Sequence, residues 1–325
     1  MDEKSLESAR REPRPEFASD LRARLAGLGP VVRERSVPLG LSLAVGALVA
    51  AAVALIAVPS VRVSAEAFLD LFRVRTFTAV SFDPARFDKL RSLGKDQELM
   101  VFDRVGGPVA HPEPVVYPTP AAAGAAAGLG LRQPGYLPGG FALDTVLVEP
   151  EESAQLSVNE PKLRALLDAL ELQDVAIPAG LANRTVSVRR PPVVIEHYRR
   201  GRSEIHWVQA RSPEIALPTG VDLEQLGQIG LRVLGLDAGE ARRVAASIDW
   251  HSTLVVPVPL TASSFRQVTV NGNPGLLVTY HGDAGNGRGR MRDGTLILWT
   301  EGDRVQGLMS GLGGPELIQV AESVR

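Results

Sequence analysis

The chain has 325 residues, a formal charge of −2 and no cysteine. Near-neutral charge gives no electrostatic footprint for nucleic acid. Without thiols, disulfides, thiolate catalysis and cysteine-ligated metal sites are excluded, so any exported domain depends on its packed core alone.

The N-terminal leader, residues 1–36, is charged and carries one amphipathic stretch at 15–28, PEFASDLRARLAGL, with Phe17, Leu21 and Leu25 on one face. No charge occurs from Ser36 to Val61, and 39–58 is almost wholly apolar. As a helix these 20 residues reach roughly 30 Å, the thickness of a bilayer's hydrocarbon layer. Pro38 and Pro59 bracket the run, and it has no polar stripe of the kind a soluble helix presents. A cleavable signal, with Ala65-Glu66-Ala67 as its small-x-small site, is the rival reading. The apolar run is long and its charged leader extended, so an uncleaved anchor at 37–59, seated in the lipid bilayer, is favoured. Lys4, Arg10, Arg11, Arg14, Arg22, Arg24, Arg33 and Arg35 precede it. That bias places the N-terminus in the cytoplasm and residues from about 60 outside. Only four of the 35 basic residues are lysines in an Ala-, Gly- and Leu-rich chain, a composition that points to a GC-rich bacterial genome.

Beyond the span, 60–105 reads as a membrane-proximal segment: a helix over 64–72, a strand over 75–82, a short helix from Asp83 and a strand over 98–104. Residues 106–130 hold a proline-rich linker to Pro120; 121–128 either continues it or forms a short alanine helix, which Thr119 as cap and Pro120 at the first position favour. The main domain is 131–325. Its pattern predicts strands at 141–148 and 153–158 forming a hairpin, a helix over 160–170, and strands at 185–189, 193–199 and 203–210. Helices over 222–234 and 237–248 follow, separated by Gly235. Hairpins turn at Asn271-Gly272-Asn273 and Glu301-Gly302-Asp303, and a helix over 316–324 closes the chain. Hairpins dominate without βαβ alternation, so the class is α+β: one N-terminal transmembrane helix, then an antiparallel sheet, open to curvature, with packed helices.

Searching this frame for chemistry yields little. Among His111, His197, His206, His251 and His281, no pair has the spacing of a metal site on one helix. His197 and His206 fall on neighbouring strands and are able to meet. Ser212, Ser263 and Ser264 lack the setting of a nucleophile elbow. Asp249, His251 and Ser252 are sequence neighbours at a helix exit, with Trp250 packing inward, whereas a triad is assembled from distant segments. The loop 282–294, with Arg288, Arg290 and Arg292, joins two antiparallel strands and does not lead into a helix N-terminus. No catalytic residue, cofactor or metal ligand is assigned, and the chain is read as non-enzymatic.

The order of parts, a short helical leader (PEFASDLRARL), one span and a large exterior domain, resembles membrane-anchored anti-sigma-factor-type regulators. AEAFLDLFRVRTF after the span, the Leu137-Pro138-Gly139-Gly140-Phe141 turn and SIDWHSTLVVPVP are similar to stretches of such exterior domains. LILWTEGDRVQGLMSG, with Trp299, and the terminal AESV resemble an uncharacterised domain associated with anti-sigma-type and sporulation-related proteins. The resemblance implies an envelope sensor, an unidentified exterior ligand, and a cytoplasmic regulator or sigma factor held by the Phe17/Leu21/Leu25 helix. The usual zinc-type sigma-binding domain, with its His-x3-Cys-x2-Cys motif, is absent. A lipid- or lipoprotein-binding carrier is the alternative, and an exported hydrolase a third.

Overall fold

The computed structural model describes residues 71–83, 85–86, 89–90, 101–105, 113–178, 181, 184–217, 220–259, 263–280 and 293–325. The leader helix, the 37–59 span, most of the 64–72 helix, His111, His281 and the Arg288/Arg290/Arg292 loop lie outside them. No helix among the described residues is long and apolar enough to cross a membrane. They belong to one compact unit of α+β class, with mostly antiparallel sheets and five helices.

The largest element is an eight-stranded antiparallel sheet. In spatial order it holds β12 (Ser263–Val270), β13 (Asn273–Tyr280), β14 (Gly294–Glu301), β15 (Arg304–Ser310), β9 (Ser203–Arg211), β8 (Val193–Arg200), β5 (Ala142–Glu149) and β4 (Val115–Tyr117). A five-stranded sheet runs β1 (Leu71–Phe72), β10 (Glu214–Ala216), β7 (Thr185–Arg190), β6 (Glu152–Val158) and β3 (Phe102–Arg104). The third sheet is a parallel pair, β2 (Thr76–Phe82) with β11 (Thr253–Pro259). The helices are α1 (Pro120–Ala127), α2 (Glu160–Ala169), α3 (Leu223–Val233), α4 (Ala238–Ser247) and α5 (Gly314–Glu322).

The local signals explain most of these elements. Asn271 and Gly272 both take positive φ, 49° and 81°, as the two-residue turn between β12 and β13 requires. Thr119, Asn159, Asp222 and Asp237 each accept a backbone N–H at the start of α1, α2, α3 and α4. Gly235, at φ 105°, separates α3 from α4 where a side chain would strain the backbone.

The near-continuous apolar runs of β13 and β14 follow from cover on both faces. One face sets Trp207, Ile297, Trp299 and Leu308 against Leu317, Val320 and Ala321 of α5. The other sets Leu276, Val278, Tyr280 and Leu296 against Phe77, Val256 and Val258 of the parallel pair. On the small sheet, Val158 of β6, Leu163 and Leu167 of α2 and that helix's C-cap Leu170 form a further core with Ile229 of α3.

Three times the chain steps directly from one of these two sheets into the other, each time at a proline. β5 leads into β6 through Pro150, β8 follows β7 through Pro191 and Pro192, and β9 becomes β10 through Pro213. Proline has no N–H to continue a ladder, so pairing breaks there and resumes in the other sheet. This corrects the expected 141–148/153–158 hairpin: β5 pairs with β8 and β4, while β6 pairs with β7 and β3. Glu149-Pro150-Glu151 is a corner, with no positive φ to reverse the chain.

Three further expectations change. Val115–Tyr117 of the proline-rich stretch adds an edge strand, because Pro114 and Pro118 flank three β-prone residues without interrupting them. Leu71–Phe72, expected as a helix end, pairs with β10. The expected division at 105/106 crosses shared sheets, since β2 pairs with β11 and β3 with β6.

Candidate functional site

The Asp249/His251/Ser252 cluster forms the turn from α4 into β11. Asp249 Oδ2 accepts from Ser252 Oγ at 2.6 Å, and Oδ1 accepts from the His251 N–H at 3.0 Å. The Ser252 hydroxyl, then the His251 backbone, hold the Asp249 carboxyl below its ordinary range. His251 Nδ1 stands 3.7 Å from the same carboxylate. The serine thus donates to the aspartate and not to the histidine, which is the geometry of an Asx turn and not of a nucleophile relay. Trp250 donates Nε1–H to the Ala245 carbonyl at 2.9 Å, and its ring lies over Gly227 of α3.

This turn borders an open depression of about 390 Å³ whose lining includes Leu223, Ile248 and Trp250 beside Asp222, Glu224 and His251. That mixed wall differs from the continuous apolar surface a lipid carrier presents. A second depression, about 220 Å³, lies beside β4 and is lined by Val115, Tyr117, Val148, Pro150 and Pro192 with Glu151.

A buried polar seam crosses the α5 side of the large sheet. Glu196 of β8 has no exposed surface. It accepts a short hydrogen bond from Tyr198 OH and another from Gln133 Nε2 at 3.1 Å. Burial raises its carboxyl, opposed by those two donors, and the Tyr198 hydroxyl is pushed up by burial and by Glu196. Gln209 clamps the backbone of Arg132, accepting its N–H at 2.9 Å and donating to its carbonyl at 3.1 Å. Arg132 in turn pairs with Glu301, to which Gln306 donates at 3.1 Å. The segment carrying Arg132 and Gln133 is also bridged to the chain's last residues, through reciprocal backbone bonds between Gln133 and Arg325 of 3.1 Å each. Nothing in the sequence singled out Glu196. The available signal was its position in VVIEHY, where period two places it with Val194 and Tyr198 on the inward face.

On the opposite face of the same hairpin, His197 and His206 do meet. They are directly opposed across β8 and β9, with ring centroids 4.5 Å apart and planes at 84°. His206 is 6% exposed, and its Nε2 makes no hydrogen bond. Glu204 Oε2 lies 3.4 Å from that nitrogen without forming a hydrogen bond, and becomes its ion-pair partner only when the imidazole is protonated. Among the described residues, no group of three or more histidine or acidic side chains is arranged to hold a metal ion.

The other serines have structural places. Ser212 Oγ accepts the Val74 N–H at 2.7 Å and donates to the Pro213 carbonyl at 3.1 Å, fastening the β9–β10 corner to the chain entering β2. Ser263 and Ser264 open β12. Compared with known proteins, the chain matches no family model, no curated protein and no solved structure at a significant level.

Proposed function

We propose that this chain is a single-pass envelope regulator of anti-sigma-factor type, with its α+β domain outside the membrane and its leader in the cytoplasm. The observation that carries the reading is the charge-free run 36–61 between a leader with eight basic residues and a large packed domain. The domain's attachment suits a relay. The apolar run ends at Val58, and β1 begins at Leu71, soon followed by β2 in the layer that packs on the large sheet. A rearrangement of that layer would be felt close to the span. The Phe17/Leu21/Leu25 face is the element offered to a cytoplasmic partner, a sigma factor or its regulator, and it is too short to fold without one. The chemistry is binding, not turnover.

Crosslinking and pull-down from membranes, with the full chain and with residues 1–36 deleted, tests the regulatory role. The full chain is expected to recover a sigma factor or its regulator and the truncated chain to lose it. Equal recovery by both, or a co-purifying lipid in place of a protein, would overturn the reading.

A further inference from the structure

We propose that His197 and His206 form an acid-sensitive latch: neutral, the edge-to-face rings hold the β8–β9 hairpin tip shut against β5 and β15, and protonated, they repel each other and release it.

The geometry leaves an added proton poorly compensated. The rings touch edge to face at 4.5 Å, so a charge on one is placed against the other. His206 is enclosed, and its Nε2 makes no hydrogen bond, the nearest anion being Glu204 Oε2 at 3.4 Å. Two carboxylates are near, but both already face a cation: Arg199 reaches Glu204 at 3.0 Å and Asp144 at 3.4 Å. From the flanking strands, β15 sets Met309 opposite His206 and β5 sets Thr145 opposite His197, and neither titrates. Arg199 is therefore the cation that competes with a protonated imidazole for Glu204.

The ladder beyond the pair is short, and its Tyr198–Ile205 rung is what anchors the tip in the α5 core. Beyond the pair, the hairpin has only the Tyr198–Ile205, Arg199–Glu204 and Arg200–Ser203 rungs before its turn at Gly201. The β5 ladder is irregular between Leu143 and Thr145, next to His197. Burial first, then the neighbouring histidine, pushes His206 down to about 4, and burial lowers His197 as well. Above about 6.5 both rings are neutral, shut or open, and the closed form has its full stability. As pH falls from there towards 4, the open form takes up a proton that the closed form refuses. The closed-to-open ratio then drops by up to about tenfold per pH unit for each such group.

Hydrogen exchange of the full-length chain in mild detergent, corrected for intrinsic rates, tests this between about pH 7 and pH 5. Peptides covering 142–146 and 197–206 are expected to lose protection on acidification, while those covering α2, which packs in a separate core, keep it. His206→Leu should abolish the response. Should that variant fail to fold, two milder ones decide. Glu204→Gln removes the anion that eases protonation of the closed form and moves opening to higher pH. His197→Gln removes the repelling ring and moves opening to lower pH. Unchanged wild-type protection across the range overturns the latch, as does a shift of both variants in the same direction. Use of the latch as an exterior pH sensor rests on the proposed orientation, the latch itself does not. The orientation fails if Arg202→Cys in whole cells is shielded from an impermeant thiol reagent, whereas the latch fails in the exchange experiment.

Discussion

Gly227→Ala is expected to destabilise the domain by roughly 2–3 kcal/mol, against the usual sign of a Gly-to-Ala change in a helix. Alanine in a helix interior gains up to about 1 kcal/mol over glycine. At position 227, however, a Cβ would lie 2.1, 2.3 and 2.5 Å from three atoms of the Trp250 indole. The ring is tethered on both its polar edge and its packed face. Its Nε1–H is bonded to the Ala245 carbonyl, and its body packs with Leu231, Ala241 and Val80 at the α3–α4 core. Moving it costs overpacking strain of about 1–3 kcal/mol or more together with that bond, which outweighs the helical gain. In a domain of this size the loss corresponds to a fall in Tm of roughly 5–10 °C. Gly230→Ala is the control: it sits in the same helix, and its Cβ would meet nothing within 4 Å. Calorimetry should find that variant neutral or more stable by up to about 1 kcal/mol. Equal effects of the two substitutions would show that Trp250 does not rest on Gly227.

Arg190→Met is expected to cost about 2–3 kcal/mol near neutral pH, and less in acid. Arg190 stands where β7 hands over to β8. Its guanidinium reaches Glu149 at 3.2 Å, Glu152 at 3.4 Å and the Pro150 carbonyl at 3.1 Å, so one side chain ties two of the three proline corners together. All three ionised groups are partly buried, with 18%, 31% and 28% side-chain exposure for Arg190, Glu149 and Glu152. Deleting one member of a buried pair costs about 3–5 kcal/mol because a charge is left unmatched, and partial solvation reduces that figure here. Burial already holds the Glu149 carboxyl above its ordinary value, with Arg190 pulling it down and Glu152 pushing it up. Without the arginine it rises further. A carboxyl raised in the folded state contributes most stability below its unfolded value, near 4.5, and loses it as pH rises through the folded value. Urea melts should therefore show the variant's deficit shrinking from pH 7 towards pH 4.5. A deficit independent of pH would mean that Arg190 acts by packing alone. Arg190→Lys keeps the charge without the fork and should fall between the two.

Features written into a few adjacent residues were legible in the sequence. Asn271-Gly272 specified its hairpin, Thr119-Pro120 the start of α1, and Asp222 and Asp237 the caps of α3 and α4. Long-range partnership was less so. That β2 pairs in parallel with β11, Thr76 beside Thr253, has no local signal, since either strand alternates equally well beside an antiparallel neighbour. The β5–β6 hairpin failed because proximity in sequence is a poor guide where proline turns a strand into another sheet. The meeting of His197 and His206 was legible as adjacency of strands. The burial of Glu196 and the Gly227–Trp250 contact were not, because they depend on what the Arg132–Gln133 segment and the turn after α4 bring from elsewhere in the chain.

The proposed orientation can be tested without background, because the natural chain has no cysteine. Ser5→Cys marks the leader, and Arg202→Cys marks the exposed β8–β9 turn. In intact cells whose outer layers admit the reagent, a membrane-impermeant maleimide is expected to label Arg202→Cys directly and Ser5→Cys only after lysis. Labelling of Ser5→Cys before lysis, or protection of Arg202→Cys until lysis, would contradict the placement of this domain outside the membrane.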